Sequence, residues 1–158
     1  MMFPPDKGTY VLILRLPDSA RLTIGKLGTF DFTAGYYAYV GSAFGSGGLR
    51  GRLKHHLAPA KRCHWHIDYL RQAAAIHDVW YAVDERVYEH QWADALRALP
   101  GAAIPIPRFG ASDCKCVSHL IYFHEAPDFS VCRPHTGINA IKSRFAEGGE
   151  ANYSFKRV

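Results

Sequence analysis

Five side chains in this sequence combine types and spacings that could act on a phosphate group. Tyr10 follows Gly8-Thr9, and Tyr39 opens Tyr39-Val40-Gly41-Ser42. Arg52 and His56 lie four residues apart, so on a helix they share one face. Glu89 stands in Glu89-His90-Gln91-Trp92. A guanidinium grips phosphate oxygens with forked donors, a carboxylate offers hard oxygens to a divalent cation, and phenols and imidazoles move protons. Each residue also has a plainer reading. Tyr10 and Tyr39 alone would be core or sheet aromatics, Arg52 and His56 a solvated helix face, and Glu89 a surface helix residue. Arg50 competes with Arg52 for the guanidinium role, and Glu85 competes with Glu89 for the carboxylate.

The elements around these groups must bring them together. Residues 10–16 form a dense β-forming run that predicts a buried strand. Residues 21–25 alternate and predict a second, more exposed strand, and 29–33 a loop or edge. Residues 35–41 predict a strand whose aromatics suit a pleated surface. The loop Gly45-Ser46-Gly47-Gly48 is followed by Leu49, Leu53 and Leu57, an apolar stripe at helical spacing that stops at Pro59. A second helix is predicted over 65–75 with Ile67, Leu70 and Ala74 inward, then a strand over 76–83. A third helix is predicted over 85–99, ended by Pro100-Gly101, and a final strand over 117–123. Beyond Glu125 the expectation is irregular structure. The order describes an α+β fold in which helices cover a small, mostly antiparallel sheet, with an inserted strand near residue 21 and an extra strand late in the chain.

Length and charge narrow the partners. The chain has 158 residues, 48% of them hydrophobic and 21% charged, which suits one globular domain over 1–158. The net charge of +5 and a pI near 9.1 favour an anionic partner, nucleic acid being the commonest. No stretch is apolar and long enough to span a membrane, and the first residues do not read as a signal peptide. The four cysteines do not form a secreted disulfide framework, so a reducing cytoplasm is expected.

The motifs taken jointly carry more weight than any one. Gly8-Thr9-Tyr10, then Tyr39-Val40-Gly41-Ser42, then Leu49-Arg50-Gly51-Arg52-Leu53-Lys54-His55-His56, then a helical Glu89-x-x-Trp92 together resemble the GIY-YIG nuclease superfamily. The resemblance covers about residues 8–99 and leaves 100–158 as a C-terminal extension. The stretches around Trp65-His66-Ile67-Asp68 and Phe109-Gly110 resemble its short stand-alone branch, sometimes called Uri-type endonucleases. The spacing of that pattern selects Arg52 over Arg50 and Glu89 over Glu85. One departure is Thr9, where the family usually has Ile. Another is the long stretch between the two tyrosine motifs, either a flap over nucleic acid or packing.

The resemblance implies a metal-dependent endonuclease that hydrolyses phosphodiester bonds, of DNA rather than RNA. It implies Tyr10 as general base with Tyr39 assisting, Arg52 binding a phosphate oxygen, and His56 orienting a tyrosine or sharing its proton. Glu89 is then the ligand of one Mg²⁺ or Mn²⁺. Arg52 and the metal are expected to lower the tyrosine pKa. Arg50, Lys54, Lys61 and Arg62 could hold phosphates without reading sequence, and their plain alternative is solubility. His55, His66 and Asp68 are secondary candidates. A non-catalytic nucleic-acid-binding module of the same fold is the alternative, and a protein-interaction domain the third reading.

Cys63-His64-Trp65-His66 and Cys114-Lys115-Cys116-Val117-Ser118-His119 invite a zinc reading, but their spacings do not match paired Cys-x-x-Cys ligands. If a regular strand began at Cys116, Cys116 and His119 would point to opposite faces. Cys132 and His135 could complete a site with Cys114. Structural zinc is not expected, and buried thiols with a packed histidine are the simpler account.

Overall fold

Gly8–Leu16 (β1) is apolar along almost its whole length, and only Arg15 reaches solvent. A strand with this pattern must be covered on both faces. In the computed structural model, which describes residues 3–58, 62–111, 115–128, 140–144 and 155–157, β1 is an inner strand of a six-stranded sheet. The other strands are Gly35–Ala43 (β4), Ala75–Val83 (β5), Leu120–Phe123 (β6), Ala140–Arg144 (β7) and Phe155–Arg157 (β8), in the order β6-β4-β1-β5-β7-β8. Every neighbouring pair is antiparallel. Ala20–Ile24 (β2) and Gly28–Phe32 (β3) form a separate hairpin.

Among the described residues, three helices cover the sheet. Gly48–Leu57 (α1) and His66–Arg71 (α2) bury Leu49, Leu53, Ile67 and Leu70 against Tyr10, Leu12, Leu14 and Tyr39 on one face. Glu89–Arg97 (α3) buries Trp92, Ala93 and Leu96 against Val11, Ile13, Val40 and Trp80 on the other. Alternate residues of β1 thus feed two cores, as the period of a strand demands. The predicted α+β architecture, a small antiparallel sheet covered by helices, is the one observed. No helix among the described residues is long and apolar enough to cross a membrane.

Several boundaries differ from expectation. Residues 29–33, expected as loop or edge, supply β3, and one face of the hairpin packs on the core: Ile24 and Phe32 are buried in the cluster that holds Ile67 and Leu70 of α2. Helix α2 stops at Arg71 although Ala73-Ala74-Ala75 favours helix, because Ala75 pairs with Arg15 on β1 and sheet formation overrides propensity. Helix α3 begins at Glu89, not residue 85. Asp84 ties the preceding turn by accepting the Arg86 amide, and the Tyr88 amide donates to the buried Thr9 hydroxyl at 3.1 Å. Strand β6 begins at Leu120, not residue 117, since the Ser118 hydroxyl takes the Leu120 amide at 3.1 Å and competes with the ladder. The irregular structure expected beyond Glu125 is interrupted by β7, which covers the edge of β5, and by β8.

Candidate active site

The short β6 opens the site. It pairs with β4 only from Tyr36 to Tyr39, so beyond that point no strand among the described residues lies on that edge of β4, while β1 continues along the other. A cleft of about 470 Å³ lies there, lined by residues from both sides of the sheet. Tyr10, Tyr39 and Arg52 enter from the face of α1 and α2, and Glu89, at the first turn of α3, enters from the other. Among the described residues lining the cleft, Glu89 is the single carboxylate, beside Arg52, His64, His66, His90 and His119.

Tyr10 is fully buried beside α1, and its hydroxyl is 2.8 Å from Nε2 of His56. Its cross-strand neighbour is Gly41, where a Cβ would sit 2.4 Å from the Tyr10 hydroxyl. The glycine of the Tyr39-Val40-Gly41 motif is therefore the space the phenol occupies. Burial pushes the Tyr10 pKa well above its ordinary value, and Arg52 only partly opposes this. The Tyr39 pKa is raised too, by burial first and by Tyr10 second. Arg52 acts in the expected direction, lowering the Tyr10 pKa, but desolvation of the buried phenol outweighs it and the net shift is upward.

Beneath Tyr10 the polar chain continues inward. His56 is buried, with Nδ1 3.9 Å from the carboxylate of Asp68. Burial alone would raise the Asp68 pKa, but the amides of Trp65 and His64, with His55, outweigh it and hold the group below its usual range. Those amides donate to Asp68 at 2.9 and 2.8 Å, fixing the start of α2, and His55 lies 3.2 Å away. Arg52 stacks over Trp65 at 4.4 Å and donates to the Ser42 carbonyl at 3.2 Å, so its guanidinium is held in place. Glu89 accepts from the Ser42 hydroxyl at 3.1 Å, and its other oxygen is 2.9 Å from Nδ1 of His119.

Of the sequence-predicted residues, Tyr10, Tyr39, Arg52 and Glu89 line the cleft, and His56 stands directly behind Tyr10. His66 also lines it, with Nδ1 accepting the Gly110 amide at 3.0 Å. Asp68 and His55 lie behind and support it. The proposed phosphate holders fare differently. Arg50 donates through Nε to the Phe3 carbonyl, which commits it to the N-terminal segment. Lys54 and Arg62 are exposed outside the cleft lining, and Lys61 lies outside the described residues. Sequence reasoning missed Ser42, Trp65, His90 and Gly110 as site residues. Each had a signal that went unused: Ser42 directly follows the second motif, His90 directly follows Glu89, and Trp65 and Gly110 lie in the two stretches that resemble the stand-alone branch.

The expected divergence of Cys116 and His119 is also corrected. No strand runs through them, since β6 starts at Leu120, and the two side chains converge beside α3. Cys114, Cys132 and His135, the other residues weighed for zinc, lie outside the described residues.

One family model, described as domain of unknown function DUF123, matches residues 9–139. No curated protein and no solved structure matches the chain.

Proposed function

The chain belongs to the DUF123 family, and we propose that it is a divalent-metal-dependent endonuclease hydrolysing phosphodiester bonds of nucleic acid, DNA in preference to RNA. The observation that carries this reading is the meeting of Tyr10, Tyr39, Arg52 and Glu89, from four different elements, in one cleft with His56 behind it. The resemblance to the GIY-YIG superfamily supports the same assignment.

The donor set fits a hard cation. The Glu89 carboxylate is partly exposed in the cleft, steadied by Ser42, and offers oxygen to Mg²⁺ or Mn²⁺ with room for water and phosphate around it. When bound, the cation would supply neutralisation of charge on the phosphoryl oxygens. Arg52, held by Trp65 and Ser42, binds a non-bridging oxygen of the scissile phosphate. Because burial raises the Tyr10 pKa, a free phenolate is scarce at neutral pH. Tyr10 therefore works as a relay: it receives a proton from the attacking water as its own hydroxyl proton passes to Nε2 of His56. Asp68 stabilises the resulting imidazolium. Water adds to phosphorus, the bond to the departing sugar oxygen breaks, and that oxygen leaves with a proton from solvent.

A cleavage panel of plasmid and branched DNA with Mg²⁺ or Mn²⁺ tests this. Wild type should nick, and Glu89→Ala and Arg52→Ala should each lose on the order of a hundredfold or more. Equal cutting by all three would point to a contaminant and remove the assignment. Salt-sensitive DNA binding with no nicking would replace the enzyme with a binding module.

A further inference from the structure

A second cluster of ligand atoms lies at the rim of this cleft, and the proposed mechanism does not use it. Nδ1 of His90 is 2.8 Å from Sγ of Cys116, and the His90 and His119 rings meet edge to face at 5.8 Å. Taking one ligand atom from each of His90, Cys116 and His119, all lie within 4.8 Å of one another. We propose that these three residues bind a zinc ion.

The donor chemistry selects the metal. Two imidazoles and one thiolate are borderline-soft ligands, poorly suited to Mg²⁺ and well suited to Zn²⁺. Tetrahedral zinc at ordinary bond lengths separates a nitrogen and a sulfur ligand by about 3.6 Å. The His90–Cys116 pair, at 2.8 Å, would have to open by about 0.8 Å to admit the ion. The Glu89 carboxylate lies 2.9 Å from Nδ1 of His119, behind the ring. A carboxylate behind a histidine in this way is the usual outer support of a zinc ligand. Among the described residues three ligands converge, and a tetrahedral ion then has a fourth position for water or a further ligand. A catalytic Cys–His pair is the competing use of Cys116, but it has no need of a second imidazole converging on the thiol.

The ion would pin the segment carrying Cys116 and His119 to the first turn of α3. Through His119 it would hold Glu89 in position. This part rests on the endonuclease reading, but the metal site itself does not.

The test uses full-length protein without a histidine tag and without nucleic acid. Metal analysis should find about one zinc per chain after desalting. After zinc removal, Co²⁺ should give the intense visible bands of tetrahedral cobalt and a sulfur-to-cobalt charge-transfer band in the near ultraviolet. Cys116→Ser should abolish the charge-transfer band. His90→Ala, at an exposed position and so expected to fold normally by circular dichroism, should weaken Co²⁺ binding on the order of a hundredfold. Cys63→Ser, at a thiol bonded instead to Gln72, should bind as wild type does. Absent bands in folded wild type, or a charge-transfer band that survives Cys116→Ser, would overturn the zinc site. Either result would leave the cleavage assay untouched, so the two readings fail separately.

Discussion

Tyr10 and His56 form the contact on which proton transfer in the proposed reaction depends. Replacing Tyr10 by Phe keeps the ring that packs against Gly41 and removes only the hydroxyl bonded to His56. Cleavage should fall by roughly 10²–10⁴, the usual worth of a positioned acid or base. Stability should fall by only about 1–3 kcal/mol, the cost of leaving a buried nitrogen without its partner. Nicking assays beside urea denaturation separate the two effects, and an unchanged cleavage rate would remove Tyr10 from the mechanism. At this scale the sequence is informative for a physical reason: glycines needed for close approach and a helix that repeats every four residues leave regular spacings. The partners that tune those residues are less legible. Asp68 meets His56, and His119 meets Glu89, through contacts that follow from packing and not from any spacing along the chain.

Between elements, the position of α3 decides whether Glu89 reaches the cleft. Thr9 departs from the resembled motif, and by shape alone a β-branched residue there is interchangeable with Ile. The fold gives it a further use: its hydroxyl takes the amide of Tyr88, the residue just before α3, in a buried setting. Thr9→Val preserves shape and β-propensity but leaves that amide unmatched. It should cost about 1–3 kcal/mol in urea denaturation and reduce cleavage beyond what the stability loss explains, by loosening the start of α3. A variant with wild-type stability and activity would show the bond to be dispensable. The sheet, the helix order and the helix stripes are readable because apolar periodicity reports directly on burial. The short β6 and the truncated α2 are not, because Ser118 bonding and the pairing of Ala75 with Arg15 compete with local preference.

Across the whole molecule, the shifts of His66 and Asp68 predict how stability responds to acid. Burial lowers the His66 pKa below 6.5, and its Nδ1 accepts the Gly110 amide, so the folded state prefers the neutral ring. The unfolded chain then binds more protons near and below pH 6.5, and stability falls as pH drops through that value toward the folded pKa. Asp68, whose folded pKa lies below 3.8, adds stability that is present above 3.8 and lost as pH falls through the folded value. Urea denaturation across pH should show a plateau above 6.5 and two successive declines below it. His66→Gln should remove the upper decline and leave the lower.

The gap left where β6 ends has a mechanical consequence. The phenols and guanidinium ride on one layer of the molecule and the Glu89 carboxylate, the proposed metal ligand, on the opposite layer, so alignment for the proposed reaction measures how faithfully the two layers keep step. A small slide between them would separate Glu89 from Arg52 while both cores stayed intact. On warming, the proposed cleavage activity should therefore be lost before the fold, which nicking assays beside circular dichroism across temperature would check.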